Sequence, residues 1–215
     1  MSCTEFTVVR HGQTIANKTG TLQGQTDTPL DDTGIAQAQA AADALKNAHF
    51  DVILSSDLGR AMATAAEIAK YHHGVTVIPD QGLREWDLGD LQGKTYAELN
   101  EMYPEVMAAF KSPENSVVIP GGENFADFQK RISATLERIA AEYPGKKILL
   151  VSHGGATQRM FCHVAGCVRN GNVTPLCANA SISAFRKLDS GAWQLTKWSE
   201  TGHLAHIVLH ETLTY

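Results

Sequence analysis

The chain reads as an α/β fold, three layers deep (α/β/α), with a mostly parallel central sheet, one antiparallel edge strand and a small cap insertion. Three observations predict it. Short apolar runs alternate with longer helical patterns along most of the 215 residues, which favours parallel strands joined by crossover helices. Ile148-Leu149-Leu150-Val151 is a continuous apolar run of the kind buried on both faces of a sheet. Near the carboxyl end, Asp189-Ser190-Gly191-Ala192 separates two strand-like segments and suits a hairpin turn.

Glu5 to Val9 is the first predicted strand, followed by a helix over Asp31 to Asn47, where Asp31 can cap the free amides ahead of an alanine-rich run. Val52 to Ser55 is a strand, Arg60 to Tyr71 a helix and Val75 to Ile78 a short strand. Between Asp80 and about residue 123 the pattern loosens. Tyr96 to Met102 can be helical, Tyr103-Pro104 interrupts it, and Lys111 to Gly122 carries proline, glycine and serine with little periodicity. This segment is expected to be a cap or lid inserted into a single domain spanning 1–215. Phe125, Phe128, Ile132, Leu136, Ile139 and Tyr143 then recur at three- and four-residue steps, which predicts a helix over Asn124 to Tyr143 with one face in the core. Ile148 to Val151 is a strand, Gly155 to Ala165 a helix, and Ser181 to Leu188 and Trp193 to Ser199 the closing strand pair.

A formal net charge of -5 gives no basic footprint for nucleic acid or an anionic membrane. No stretch approaches the ~20 apolar residues needed to span a bilayer, and the first strand begins too near Met1 for a signal peptide. The expected location is cytoplasmic. Cys3, Cys162, Cys167 and Cys177 lack metal or redox spacing and are expected to be small packed side chains rather than a disulfide framework.

Chemistry is expected where strands end. Arg10 and His11 follow one apolar strand directly, and Ser152-His153-Gly154-Gly155 follows another. Open α/β sheets collect ligands at the carboxyl ends of their strands, so both histidines can face one crevice. A lone histidine there is ordinarily structural. The surrounding pattern says otherwise: Arg10-His11-Gly12-x-Thr14-x-x-Asn17, Gln23-Gly24-x-x-Asp27-x-Pro29-Leu30, Ser55-Ser56-x-Leu58-x-Arg60-Ala61-x-x-Thr64-Ala65, Leu83-Arg84-Glu85 and Ser152-His153-Gly154 follow in order. Together they resemble the histidine phosphatase superfamily, which includes the cofactor-dependent phosphoglycerate mutases, and the resemblance covers nearly the whole chain.

The resemblance implies a core in which Arg10, Arg60, His11 and His153 surround one phosphoryl group, with His11 phosphorylated during turnover. It places Asn17, Gln23 and Gly24 along the substrate pocket. The chemistry suits the residue types. A phosphate monoester carries about -1.5 to -2 charge near neutral pH, and arginine forks bind its oxygens while staying cationic. A neutral imidazole can attack phosphorus through one nitrogen while a hydrogen bond at the other aims it. His153, if protonated, adds positive charge opposite the attacking ring, and the Gly154 amide at a helix start can meet a phosphate oxygen. Glu85 is the expected general acid and base, protonating the departing alkoxide and then activating water. Its competing reading is an exposed loop carboxylate paired with Arg84.

The expected activity is phosphomonoester hydrolysis on a small molecule, because Trp86 and Asp87 stand where the mutases carry basic and histidine residues and Ser112 to Gly122 holds no lysine or arginine. The alternative is a phosphoglycerate mutase, which would require 2,3-bisphosphoglycerate and could use Arg84, Lys94 and Lys111. A minor alternative is a non-catalytic phosphoester-binding module. No cofactor and no metal are expected otherwise: His203, His206 and His210 lack a persuasive ligand set. His72-His73 is expected to end a helix, and Trp86, Tyr96, Phe110 and Val117 to Ile119 to give the cap apolar surface. The antiparallel edge could pair as a homodimer or lie under its own tail, so oligomeric state is not readable.

Overall fold

The computed structural model describes residues 3–110, 118–167 and 175–207. In chain order the elements are β1 (Cys3–Arg10), α1 (Ile15–Thr19), α2 (Asp32–Leu45), β2 (Val52–Ser55), α3 (Gly59–Ala69), β3 (Val77–Pro79), α4 (Tyr96–Met102), α5 (Pro104–Phe110), α6 (Phe125–Glu142), β4 (Lys147–Ser152), α7 (Gly154–Ala165), β5 (Ile182–Leu188) and β6 (Trp193–Glu200). The strands form one sheet in the order β3-β2-β4-β1-β5-β6. β3, β2, β4 and β1 run parallel, and β5 alone is reversed. The antiparallel edge is therefore a β5–β6 hairpin, with the reversed strand one place in from the rim.

Side-chain alternation along the central strands divides the core into two halves. Phe6 and Val8 of β1 and Ile148 and Leu150 of β4 pack with α6 and α7, including Phe128, Ile132, Leu136, Ile139 and Met160. Val9, Leu149 and Val151 face the other way, against Ala41, Ala42, Ala61, Ala65 and Ile68 of α2 and α3. A period of two on strands buried on both faces yields three layers. The small residues of α2 and α3 let both helices lie close to the sheet.

Helix ends follow their local signals. The Asp31 side chain accepts from Gly34 N at 2.8 Å, and that of Asn124 from Asp127 N at 2.9 Å. Pro104 does more than interrupt a helix. It opens α5, the position where its missing N–H and fixed φ are tolerated best, so the loosened segment holds two short helices. Trp86 is 1% exposed and packs against Phe110, Phe125 and Phe128, which makes it core rather than cap surface. Val117 lies outside the described residues, Ile119 is buried and Val118 is exposed. Among the described residues no helix is long and apolar enough to cross a membrane. All four cysteines are free; Cys162 and Cys177 are buried, whereas Cys167 is exposed rather than packed.

Candidate active site

β1 and β4 are parallel neighbours in a register that pairs Arg10 with Ser152. The residues that follow each strand, His11 and His153, therefore emerge side by side, with ring centroids 5.1 Å apart at 63°. The loop after β1 is fixed by the start of α2. Gln13 N donates to Gln37 Oε1 at 2.8 Å, Asp31 N donates to Gln13 O at 3.1 Å, and Gln13 Nε2 donates to Asp31 Oδ2 at 2.8 Å. Gly12 is required here, since a Cβ would overlap the carbonyl of Gly34.

His11 Nδ1 lies 2.7 Å from Gly12 O. A carbonyl only accepts, so Nδ1 carries the proton and Nε2 keeps its lone pair. Burial, followed by the Arg60 and Arg10 charges, holds this imidazole well below its ordinary pKa, so it is neutral. His153 is the converse tautomer. Its Nδ1 accepts from Arg60 Nε at 3.2 Å, which leaves the proton on Nε2, 2.8 Å from Ser56 Oγ. Burial first, then Arg60, His11 and Arg10, push it down as well. The protonated His153 considered from sequence is thus a neutral ring in this structure.

The arginines frame the histidines. Arg60, at the start of α3, is fully buried and donates to Thr26 O at 2.8 Å and Gly24 O at 2.7 Å. Arg10 donates through Nη1 to Cys177 O and packs its guanidinium against Gly154. Its Nε is buried with no hydrogen-bond partner among the described residues. A buried, unsatisfied cationic donor is costly, and an anion in the crevice would satisfy it.

Glu85 is no exposed carboxylate. It is 6% exposed and takes three backbone N–H groups: Trp86 N at 2.9 Å, Gly155 N at 2.9 Å and Ala156 N at 3.0 Å. Two of these are free amides of the α7 N-terminus, which have no partner within the helix. Arg84 pairs instead with Asp57, through Nε at 2.7 Å and Nη2 at 2.6 Å.

One crevice is lined by Arg10, His11, Asn17, Gln23, Gly24, Arg60, Glu85 and Gly154, the predicted set apart from His153, which sits behind His11 and Arg60 at 0% exposure. Asn17 closes the capping box of α1, and its Oδ1 accepts from Asn179 Nδ2 at 3.2 Å. Gln23 Oε1 accepts from Thr14 Oγ1 at 2.9 Å. Gly24, at φ +51°, has no room for a Cβ beside the Gln92 side chain. Ala16, Gly20, Thr21, Leu22 and Tyr96 also line the crevice.

The sequence did not single out Ser56 as the His153 partner, although Ser55-Ser56 stood within the motif, nor Asn179, whose Nδ2 donates to His11 O at 3.0 Å. Of the cations offered for a mutase, Arg84 is engaged by Asp57, Lys94 Nζ donates to Asp90 O, and Lys111 lies outside the described residues. His203 is tied to Ala180 O at 3.0 Å, and His210 lies outside the described residues. His72 follows the end of α3 and packs edge-to-face with Phe50. Among the described residues no three His, Cys, Asp or Glu side chains gather where a metal ion could sit.

Two imidazoles, two guanidinium groups and a carboxylate thus gather at the carboxyl ends of parallel strands in an α/β fold, the place where such sheets collect ligands. Residues 6–201 match the histidine phosphatase superfamily (branch 1), and the chain belongs to that superfamily. It is 36% identical over 202 residues to phosphoglycerate mutase-like protein 4 of Arabidopsis thaliana, covering 93% of this chain and 86% of the relative. It is 35% identical over 206 residues to a metal-independent phosphoserine phosphatase of the same plant, covering 95% and 84%. A solved mutant of phosphoserine phosphatase from Entamoeba histolytica, in complex with phosphoserine, superposes with a TM-score of 0.83 at 30% identity over 94% of this chain and 99% of that one.

Proposed function

We propose that this protein hydrolyses small-molecule phosphomonoesters through a phosphohistidine formed on His11. The observation that carries the reading is the His11 ring itself: neutral, pinned at Nδ1 by Gly12 O and therefore nucleophilic at Nε2, beside Arg10 with an unsatisfied buried donor. The phosphoryl group sits between the Arg10 and Arg60 forks. His11 Nε2 attacks phosphorus as the ester P–O bond breaks, and the carboxylic acid of Glu85 gives its proton to the departing alkoxide. The Glu85 carboxylate then takes a proton from water, whose oxygen attacks phosphorus, breaks the P–N bond and returns His11 to its neutral state.

Burial first, and the charges of Arg60, His11 and Arg10 after it, keep His153 neutral; an arriving dianion opposes only the arginine part, so bound phosphate shifts the balance towards a proton on that ring. The doubly charged cage gives the transition state the stabilisation a metal would otherwise supply. A relative named for metal-independent phosphoserine hydrolysis supports a metal-free reaction. The segment assigned as the cap of a single domain, about 80–123, contributes Tyr96 to the crevice lining.

The test is a phosphomonoester panel, phosphoserine and phosphoglycerates included, run with and without 2,3-bisphosphoglycerate and with EDTA. Release of inorganic phosphate that is indifferent to both additions supports the proposal. Isomerisation of phosphoglycerate that depends on the bisphosphate would replace it with a mutase, and no turnover of any ester would leave a binding module.

A further inference from the structure

Glu85 lies in an irregular segment between β3 and α4, yet its role in the proposed reaction demands that its carboxyl be placed within a fraction of an ångström. The backbone of that segment is held unusually completely. Four consecutive carbonyls accept from side chains: Gly82 O from Arg131 Nη1 at 3.1 Å, Leu83 O from Ser152 Oγ at 2.8 Å, Arg84 O from Arg131 Nη1 at 2.9 Å, and Glu85 O from Arg131 Nη2 at 3.0 Å and Gln25 Nε2 at 3.2 Å. Three of the four therefore depend on one guanidinium.

Arg131 is itself clamped. Its Nε and Nη2 donate to Glu123 Oε1 and Oε2 at 2.9 and 2.8 Å, a bidentate pair that fixes the plane of the fork. The Glu123 backbone binds the residues just beyond Glu85: its carbonyl accepts from Trp86 Nε1 at 2.6 Å and its amide donates to Asp87 O at 2.9 Å. The guanidinium also lies 5.1 Å from the Phe128 ring centroid. Only a planar group with five donors can serve a carboxylate on one side and three carbonyls on another. A lysine would keep the charge and lose the fork.

We propose that Arg131, oriented by Glu123, is a positioning residue for the reaction: it fixes the 82–85 backbone so that the Glu85 carboxyl meets the leaving-group oxygen. This rests on the assignment of Glu85 as acid and deepens it. Arg131 meets the crevice lining through the Glu85 carbonyl, and its charge also helps to hold the His153 pKa down, last among the causes after burial, Arg60, His11 and Arg10; a lysine would keep that charge and lose the fork, so the substitution isolates the effect on Glu85.

The test compares kcat/KM for an alkyl phosphate, whose alkoxide needs a proton, with nitrophenyl phosphate, whose phenolate leaves unaided. Arg131→Lys should lower the alkyl value by about tenfold to hundredfold and the nitrophenyl value by less than about threefold, because general acid catalysis is worth about 10²- to 10⁴-fold. Inhibition by inorganic phosphate should stay within about twofold, since Arg10 and Arg60 are untouched. In a Glu85→Gln background Arg131→Lys should cost nothing further on the alkyl ester. Glu123→Gln should show the same selectivity to a smaller degree, and it reads the same contact if Arg131→Lys fails to fold. Equal losses on both esters, additivity with Glu85→Gln, or weakened phosphate inhibition would overturn the positioning role. If Glu85→Gln alone is selective for the alkyl ester while Arg131→Lys is not, only this inference fails. A Glu85→Gln variant that loses both activities equally removes the acid assignment and this inference with it.

Discussion

Acid should loosen this fold through the imidazoles that the crevice keeps neutral. His11 and His153 are held well below the ordinary histidine value of 6.5, by burial first and the arginines next, and His72 is lowered by burial and by His49 and His73. In the unfolded chain all three titrate near about 6.5. Above that pH neither state binds the protons and the stability is fully present. As pH falls below it the unfolded chain takes protons that the native chain refuses, and stability is lost towards the lower folded values. Each refused proton is worth up to about 1.4 kcal/mol per pH unit, so His11 and His153 together approach about 2.7 kcal/mol per unit. Burial raises Glu137, but hydrogen bonds from Lys187, Trp193 and His163 outweigh it and carry it down to about 2, so that carboxylate acts at lower pH than the histidines. The assay is urea unfolding between about pH 6.5 and pH 5 for the parent, His11→Gln and His153→Asn, with the slope of unfolding free energy against pH as the readout. Each substitution should flatten the slope by up to about 1.4 kcal/mol per unit, and saturating inorganic phosphate should flatten that of the parent. Parallel slopes in all three proteins would refute the reasoning, because the native rings would then be taking up protons.

Three further outcomes follow from single contacts. In Gly155→Ala the new Cβ would stand 2.5 Å from Glu85 Oε1, so the carboxylate must leave the α7 amides; kcat/KM on alkyl phosphates should fall by about 10²-fold, with stability reduced by only about 1–2 kcal/mol, as checked by kinetics and thermal unfolding side by side. Gly34→Ala would drive a Cβ into the Gln13 carbonyl that anchors the His11 loop, lowering stability by about 2–3 kcal/mol and Tm by about 4–12 °C, as read by calorimetry. Arg60→Lys would strip hydrogen bonds from Gly24 O, Thr26 O and His153 Nδ1; inhibition by inorganic phosphate or vanadate should weaken by more than about tenfold.

The sheet and much of the crevice were legible because local patterns coincide with global ones. Period-two burial along Phe6 to Val9 and the 3.6-residue stripe of α6 define the layers, and Asp31 and Asn124 mark where helices begin. The facing of His11 and His153 follows from two apolar strands running parallel in register. What stayed hidden depends on contacts between residues far apart in sequence. Glu85 is the expected acid and base from sequence, but its surroundings are not readable there: the α7 amides that hold it and the Asp57 that takes Arg84 away from it come from distant segments. Nothing in the local sequence singles out Arg131, because the three carbonyls at its fork belong to residues 82–85. Trp86 resembles a cap aromatic because its neighbours Phe125 and Phe128 lie about forty residues downstream.

The central claim is tested most directly by trapping the covalent phosphate. Enzyme mixed briefly with labelled phosphomonoester and quenched in alkali, which preserves phosphohistidine, should carry label on the peptide containing His11, and Glu85→Gln should prolong its lifetime. No label at any time before the first turnover is complete, or label on a different residue, would contradict the mechanism.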